Sequence, residues 1–311
     1  MTESNNEKGN HVRNGKAFEW AVACALKDIS SYEIIEDKHT LKPREYFSEL
    51  QLSDQQSFYK SAERGVRHIV QKEAKFFSSG VGAIRFQSDS AGQSGDVRDL
   101  IISNGTNEIG FSCKNNHSDL KHSRLSDVLD FAKEWGLNES GCSESYWHEI
   151  HNAFSGIKQI VANEVNPTWR ELPNKEQVYW NVLNAWASEI LRCYGETQEQ
   201  NALLCERLIN YLFGSHDFYK IMRRDQSSVD IQCVNFRRKL TRPYAKFPTV
   251  IRAIDNLNGT QYSKTIAFNN GFSINFRIHN ADSKLNTSLK FGIKALSLPS
   301  DQFYQQTLDV A

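Results

Sequence analysis

The 311-residue chain has no net charge, with 37 basic against 37 acidic residues, so its bulk composition offers no attraction for a polyanion or a membrane surface. It has no apolar run near the roughly 18 to 20 residues that cross a bilayer. The opening stretch, MTESNNEKGNHVRNGK, lacks the apolar core of a secretory signal, and Met1–Asn14 reads as a frayed tail. The six cysteines (Cys24, Cys113, Cys142, Cys193, Cys205 and Cys233) form no CxxC pair. That argues against a zinc ribbon and for free thiols in a reducing cytoplasm. No internal repeat or low-complexity segment stands out. What remains is an ordinary globule, long enough for one large domain or two smaller ones.

The charge is balanced only on average. From Arg237 to Lys294 there are eleven basic residues and two acidic ones, Asp255 and Asp282. This local excess of nine positive charges is a polyanion footprint inside a neutral chain. The same region turns β-rich: Ile231, Val234 and Phe236 recur, Ser273–Ile278 alternates, and Asn269-Asn270-Gly271 marks a turn between strands.

The first two thirds are mixed. FEWAVACAL (Phe18–Leu26) carries an Ala-rich apolar face and predicts a helix over Gly15–Ile29. Glu19 lies near its start, where the helix dipole favours a carboxylate. Tyr46–Ser79 reads as a helical arm with Phe58, Ala62, Val66, Ile69 and Ala74 roughly on one face. Leu125, Val128, Leu129 and Ala132 suggest a further helical stripe that would carry Asp127 and Asp130 on it or at its start. Glu144–Tyr211 is mostly helical, broken at Pro167 and Pro173 and closed by Gly214. The expected division is a tail over 1–14, an α/β core with a helical insertion over 15–213, and a β-rich basic region over 214–311.

The chemistry concentrates between Ser94 and Asp130. Leu100–Ile102 is β-rich, Asn104-Gly105 is a hairpin dipeptide, and Ile109–Cys113 is the returning strand. Asp96 and Asp99 stand at the mouth of the first strand and Lys114 at the end of the second, so a hairpin can bring carboxylate and ammonium together. Carboxylates suit a hard divalent cation, and a lysine beside them can position water and offset charge on a phosphate.

This spacing resembles the PD-(D/E)XK nuclease superfamily, in which a carboxylate opens one strand and an acid-x-lysine follows on the next. The proline is absent, and Ser112 stands where the second acid would be. Wider matches, GDVRDLII, IGFSCKNNHSDLKHSRLSDVLDFAKEW, GSHDFYKIM, FRIHNADSKLNTSLKFGI and the opening GKAFEWA, resemble the HaeIII family of type II restriction endonucleases. The resemblance implies a PD-(D/E)XK-like mixed-sheet core flanked by helices, with a β-rich C-terminal DNA-binding extension. It implies an Mg²⁺-dependent endonuclease acting on a short palindrome of the GGCC type in double-stranded DNA, with a methyltransferase as its functional partner.

Carried onto this sequence, Asp99 and Lys114 are the leading catalytic pair, with Asp96 as a second metal ligand or a turn former. The acid missing at Ser112 would be relocated to Asp130 or Asp127, with Glu19 as an additional carboxylate. DNA contacts are expected from His117, Lys121, His122 and Arg124 after the hairpin. More are expected from Arg277, His279, Asn280, Lys284 and Lys290 in the basic region, whose donors suit guanine edges and phosphates. Cutting both strands of a palindrome suggests a homodimer or sequential nicking. Rival readings are a repair nickase or resolvase of the same superfamily, and a catalytically silent DNA-binding protein.

Overall fold

The structure is a computed structural model and describes residues 3–78, 80–88, 95–116, 124–241, 243–256, 263–280 and 283–310. Helix α1 (Glu3–Ser30) leads to β1 (Glu33–Ile34), α2 (Lys38–Ser48), α3 (Leu52–Lys72), α4 (Ala74–Phe77) and β2 (Ala83–Phe86). The hairpin follows as β3 (Leu100–Asn104) and β4 (Asn107–Asn115), then β5 (Arg124–Ser126). Four helices come next: α5 (Phe131–Glu134), α6 (Glu144–Asn163), α7 (Lys175–Arg192) and α8 (Gln198–Phe213). The chain finishes with β6 (Phe218–Arg223), β7 (Ser228–Val234), β8 (Ile251–Asn256), β9 (Ser263–Phe268), β10 (Ser273–Asn280), β11 (Ser288–Ser297) and β12 (Tyr304–Asp309).

These strands form two sheets, a mixed α/β architecture. The larger has the order β1-β2-β3-β4-β6-β7-β12 and the smaller β5-β11-β10-β9-β8. In the larger sheet β4 pairs in parallel with β6, and the connection between them carries β5 and four helices. The smaller sheet is antiparallel throughout.

One apolar core lies between the larger sheet and the first helices. Ala17, Phe18, Ala21 and Val22 of α1 and Phe58, Ala62, Val66 and Ile69 of α3 pack there with Leu100, Ile102, Phe111, Cys113, Ile221 and Ile231. Gly65 permits this approach, since a Cβ at that point would stand 3.1 Å from Ile231 and 3.2 Å from Ile221. The second core joins α6, α7 and α8 to the smaller sheet through Phe154, Leu183, Trp186, Leu208, Phe276 and Phe291. Phe218 and Val234 of the larger sheet also enter it, so β6 and β7 tie the two cores together.

Several sequence expectations change. The first helix begins at Glu3, well ahead of Gly15. The helical arm is three helices, α2, α3 and α4, and Ala74 is exposed. The helical stripe around Leu125 is corrected to the three-residue strand β5, which pairs with β11 at Leu289, followed by the single turn α5. Asp127 therefore lies between β5 and α5, while Asp130 stands at a helix start, as the N-cap of α5. The region after Gly214 divides between both sheets, with β6, β7 and β12 completing the larger one. No helix among the described residues is long and apolar enough to cross a membrane.

Candidate active site

The β3–β4 register sets the centre of the site. Leu100 stands opposite Phe111, which places Asp99, one residue earlier, beside Ser112. Ser112 and Lys114 alternate along β4 with the core residues Phe111 and Cys113 and so share the other face of the strand. One oxygen of Asp99, Oδ2, accepts from the Cys113 amide at 2.8 Å, from the Ser112 hydroxyl at 3.3 Å and from the Lys114 ammonium at 3.3 Å. Asp99 is 3% exposed. A buried carboxylate is tolerable only with such partners, and the hairpin supplies all three.

Glu19 is brought to the same place by α1, whose Ala-rich face lies on β4. Glu19 is buried, and its carboxylate accepts from the ammonium of Lys16, one turn earlier, at 3.1 Å. Burial, helped by the negative charge of Asp99 and opposed by Lys16 and Lys114, raises the Glu19 pKa to about 7. The Cys113 thiol between them is pushed well above its usual value, first by burial and then by Asp99 and Glu19. The site is thus a cluster of two carboxylates and two ammonium groups. Lys16 escaped the sequence reading, although its place one turn before Glu19 on the same helix face was the available signal.

The other candidate acids are held elsewhere. Asp96 receives Arg98 through its main-chain N–H at 3.1 Å and through two side-chain nitrogens at 2.9 and 2.8 Å, and it also accepts from Gln87. Arg98, 5% exposed, lies across Gly110, where a Cβ would meet its Cδ. Asp127 forms an ion pair with Lys158 at 2.6 Å. Asp130 accepts from the amides of Lys133 and Cys142. Each of the three is therefore occupied by a local or helical partner, and Glu19 is the acid that shares the surroundings of Asp99 and Lys114. Among the described residues no group of three or more His, Cys, Asp or Glu side chains is arranged to hold a metal.

Lys220 of β6, also unread from sequence, is in register with Ser112 and is 6% exposed. A groove of about 720 Å³ lies beside Glu73, Arg98, Glu108 and Asp217. Glu73 there accepts from Tyr219 and Thr241, and Asp217 from the Arg237 and Lys239 amides.

The smaller sheet collects much of the basic region. In β10, Ile274, Phe276 and Ile278 enter the core while Arg277 and His279 take the opposite face. His279 pairs with Lys290 of β11, and Lys290 with Arg124 of β5, so three candidates form a row across adjacent strands. Asn275 and Lys294 are paired along the same face. Asn280 accepts from the Tyr179 hydroxyl at 3.2 Å, and Lys284 bridges to Thr168 outside the strands. His117, Lys121 and His122 lie outside the described residues.

A carboxylate pair and a lysine gather on a mixed sheet, with a basic antiparallel sheet in the same molecule, the kinds of group that phosphodiester hydrolysis calls for. The family described as HaeIII restriction endonuclease matches residues 15–299. Type II restriction enzyme HaeIII from Haemophilus aegyptius is 32% identical over 315 residues, covering 92% of this chain and 94% of that protein. The chain belongs to the HaeIII restriction endonuclease family and is a site-specific deoxyribonuclease. No solved structure matches it.

Proposed function

We propose that the chain is an Mg²⁺-dependent type II restriction endonuclease of the PD-(D/E)XK kind, cutting double-stranded DNA at a short palindrome of the GGCC type. The observation that carries this is the contact of Lys114 with Asp99, with Glu19 in the same cluster. The donor set fits the ion: Mg²⁺ is held by one or two carboxylates together with phosphate oxygens and water. The two carboxylates are hard oxygen ligands, and the repulsion from Asp99 that helps to raise Glu19 is what a dication would relieve.

Asp99 and Glu19 would hold the ion. When bound, it supplies Lewis-acid polarisation and charge neutralisation at the phosphate. Lys114 positions the attacking water and offsets charge on the phosphoryl oxygens. Water oxygen bonds to phosphorus, the bond from phosphorus to the leaving sugar oxygen breaks, and that oxygen ends protonated. Ser112 steadies Asp99 through its hydroxyl in place of a second acid. The face bearing Arg124, Arg277, His279 and Lys290 tracks the DNA, with Asn280 and Lys284 at its margin. His117, Lys121 and His122 are proposed as further contacts.

The division into a catalytic core and a β-rich recognition extension belongs to this reading. So do a cytoplasmic setting, a methyltransferase that protects host sites, and cleavage of both strands by a dimer or by successive nicks. Digestion of unmodified phage DNA with and without Mg²⁺, with the fragment ends sequenced, tests the activity, the site and the cut position together. Lys114→Ala is expected to abolish cleavage while retaining DNA binding in a gel-shift assay; full cleavage by that variant would remove the assignment.

A further inference from the structure

We propose that Lys16 is a second cationic residue of the active site, passing from Glu19 to the scissile phosphate when DNA and the divalent ion bind. The proposal rests on the nuclease reading and extends it to a residue which that reading leaves without a role.

A solvated helix pair three residues apart would expose most of both side chains, but here Lys16 is 18% exposed and Glu19 9%. The field of Lys16 also reaches beyond its own helix. It opposes the rise of the Cys113 thiol, which responds as well to Asp99, Glu19 and Lys114. The four charged groups therefore all act on one point of β4. Among the described residues an ammonium lies on each acid, Lys114 on Asp99 at 3.3 Å and Lys16 on Glu19 at 3.1 Å.

That arrangement changes when a divalent ion takes the Glu19 carboxylate. Lys16 then loses the compensating charge of Glu19 in a poorly solvated place, which is costly for an ammonium. The incoming phosphodiester brings a replacement anion to the same cluster. A lysine can make this exchange because its charge sits on a flexible four-carbon stem with three rotatable donors. Lys16 and Lys114 are both still partly open to solvent, at 18% and 13%, so both can reach a phosphate.

The test compares wild type with Lys16→Met, Lys16→Gln and Lys16→Arg, each as the full chain, on a cognate duplex. Binding is measured in Ca²⁺, with either an ordinary phosphate or a neutral methylphosphonate at the cleaved position. Neutralising the phosphate should weaken wild-type binding about 100-fold and the Met and Gln variants only about tenfold, the remainder reflecting Lys114. The slope of log affinity against log salt should fall by about 0.9 in both variants, as expected for one lost phosphate contact. Lys16→Met should also cut kcat in Mg²⁺ about 100-fold, with partial recovery in Lys16→Arg. Circular dichroism melts identify folded variants, and either Met or Gln suffices. An unchanged methylphosphonate penalty and salt slope would leave Lys16 as a helix ion pair and overturn the proposal. If wild type itself neither binds nor cuts duplex DNA, it is the nuclease reading that fails.

Discussion

At the scale of single residues, identical side chains three positions apart have opposite fates. Asp99 meets Lys114 and Ser112, while Asp96 is held by Arg98. Burial pushes the Asp96 pKa up, but the hydrogen bonds and charge of Arg98, aided by His216, outweigh it and hold the group below its usual value. A carboxyl depressed in the native state stabilises the fold above its unfolded pKa of about 3.9, and that contribution fades as pH falls through the native value. Asp96→Asn is therefore expected to cost about 3 kcal/mol at pH 7, because Arg98 stays behind nearly buried. The gap from wild type should shrink below about pH 4, which urea unfolding at pH 7 and pH 3 would measure. Sequence could place both aspartates at the strand mouth. It could not tell which one an arginine two residues away would claim, because that depends on the space over Gly110.

At the scale of elements, legibility followed the range of the interactions. The β3–β4 hairpin could be read because its turn and its alternation are local. Strand β5 could not: three residues have no periodicity of their own, and Arg124–Ser126 becomes a strand only by pairing with β11, far along the chain. The apolar stripe of α3 was plain, but the reason for Gly65 within it was not. That glycine lets the helix rest on Ile221 and Ile231. Gly65→Leu gains helix propensity of about 1 kcal/mol. It should nevertheless lower stability by about 1–3 kcal/mol, because the added methylenes force the helix off the sheet. Thermal denaturation followed by circular dichroism would report the loss, and a raised melting temperature would contradict this packing.

At the scale of the whole molecule, a neutral chain presents a sheet face with concentrated positive charge. The row Arg124, Lys290, His279 and the neighbouring Arg277 join residues far apart in sequence. The sequence showed the excess of charge but not its assembly, nor that a strand following the β3–β4 hairpin supplies one of its members. Substituting Arg277 and Lys290 together by alanine should reduce the slope of log affinity against log salt by about 1.8, if each touches one phosphate. Filter binding at several salt concentrations would measure it, and an unaltered slope would place the DNA elsewhere.

The sheet holding the Asp99–Lys114 cluster is bordered on one side by β12. β12 lies along β7 from Ser228 to Cys233 and turns Gln305, Gln306 and Thr307 outward. Without it, main-chain donors and acceptors beside Val229, Ile231 and Cys233 would lie open to any passing polypeptide, an invitation to intermolecular stacking. Six mostly polar residues of β12 thus stand where the apolar strand β7 would otherwise form the edge of the sheet.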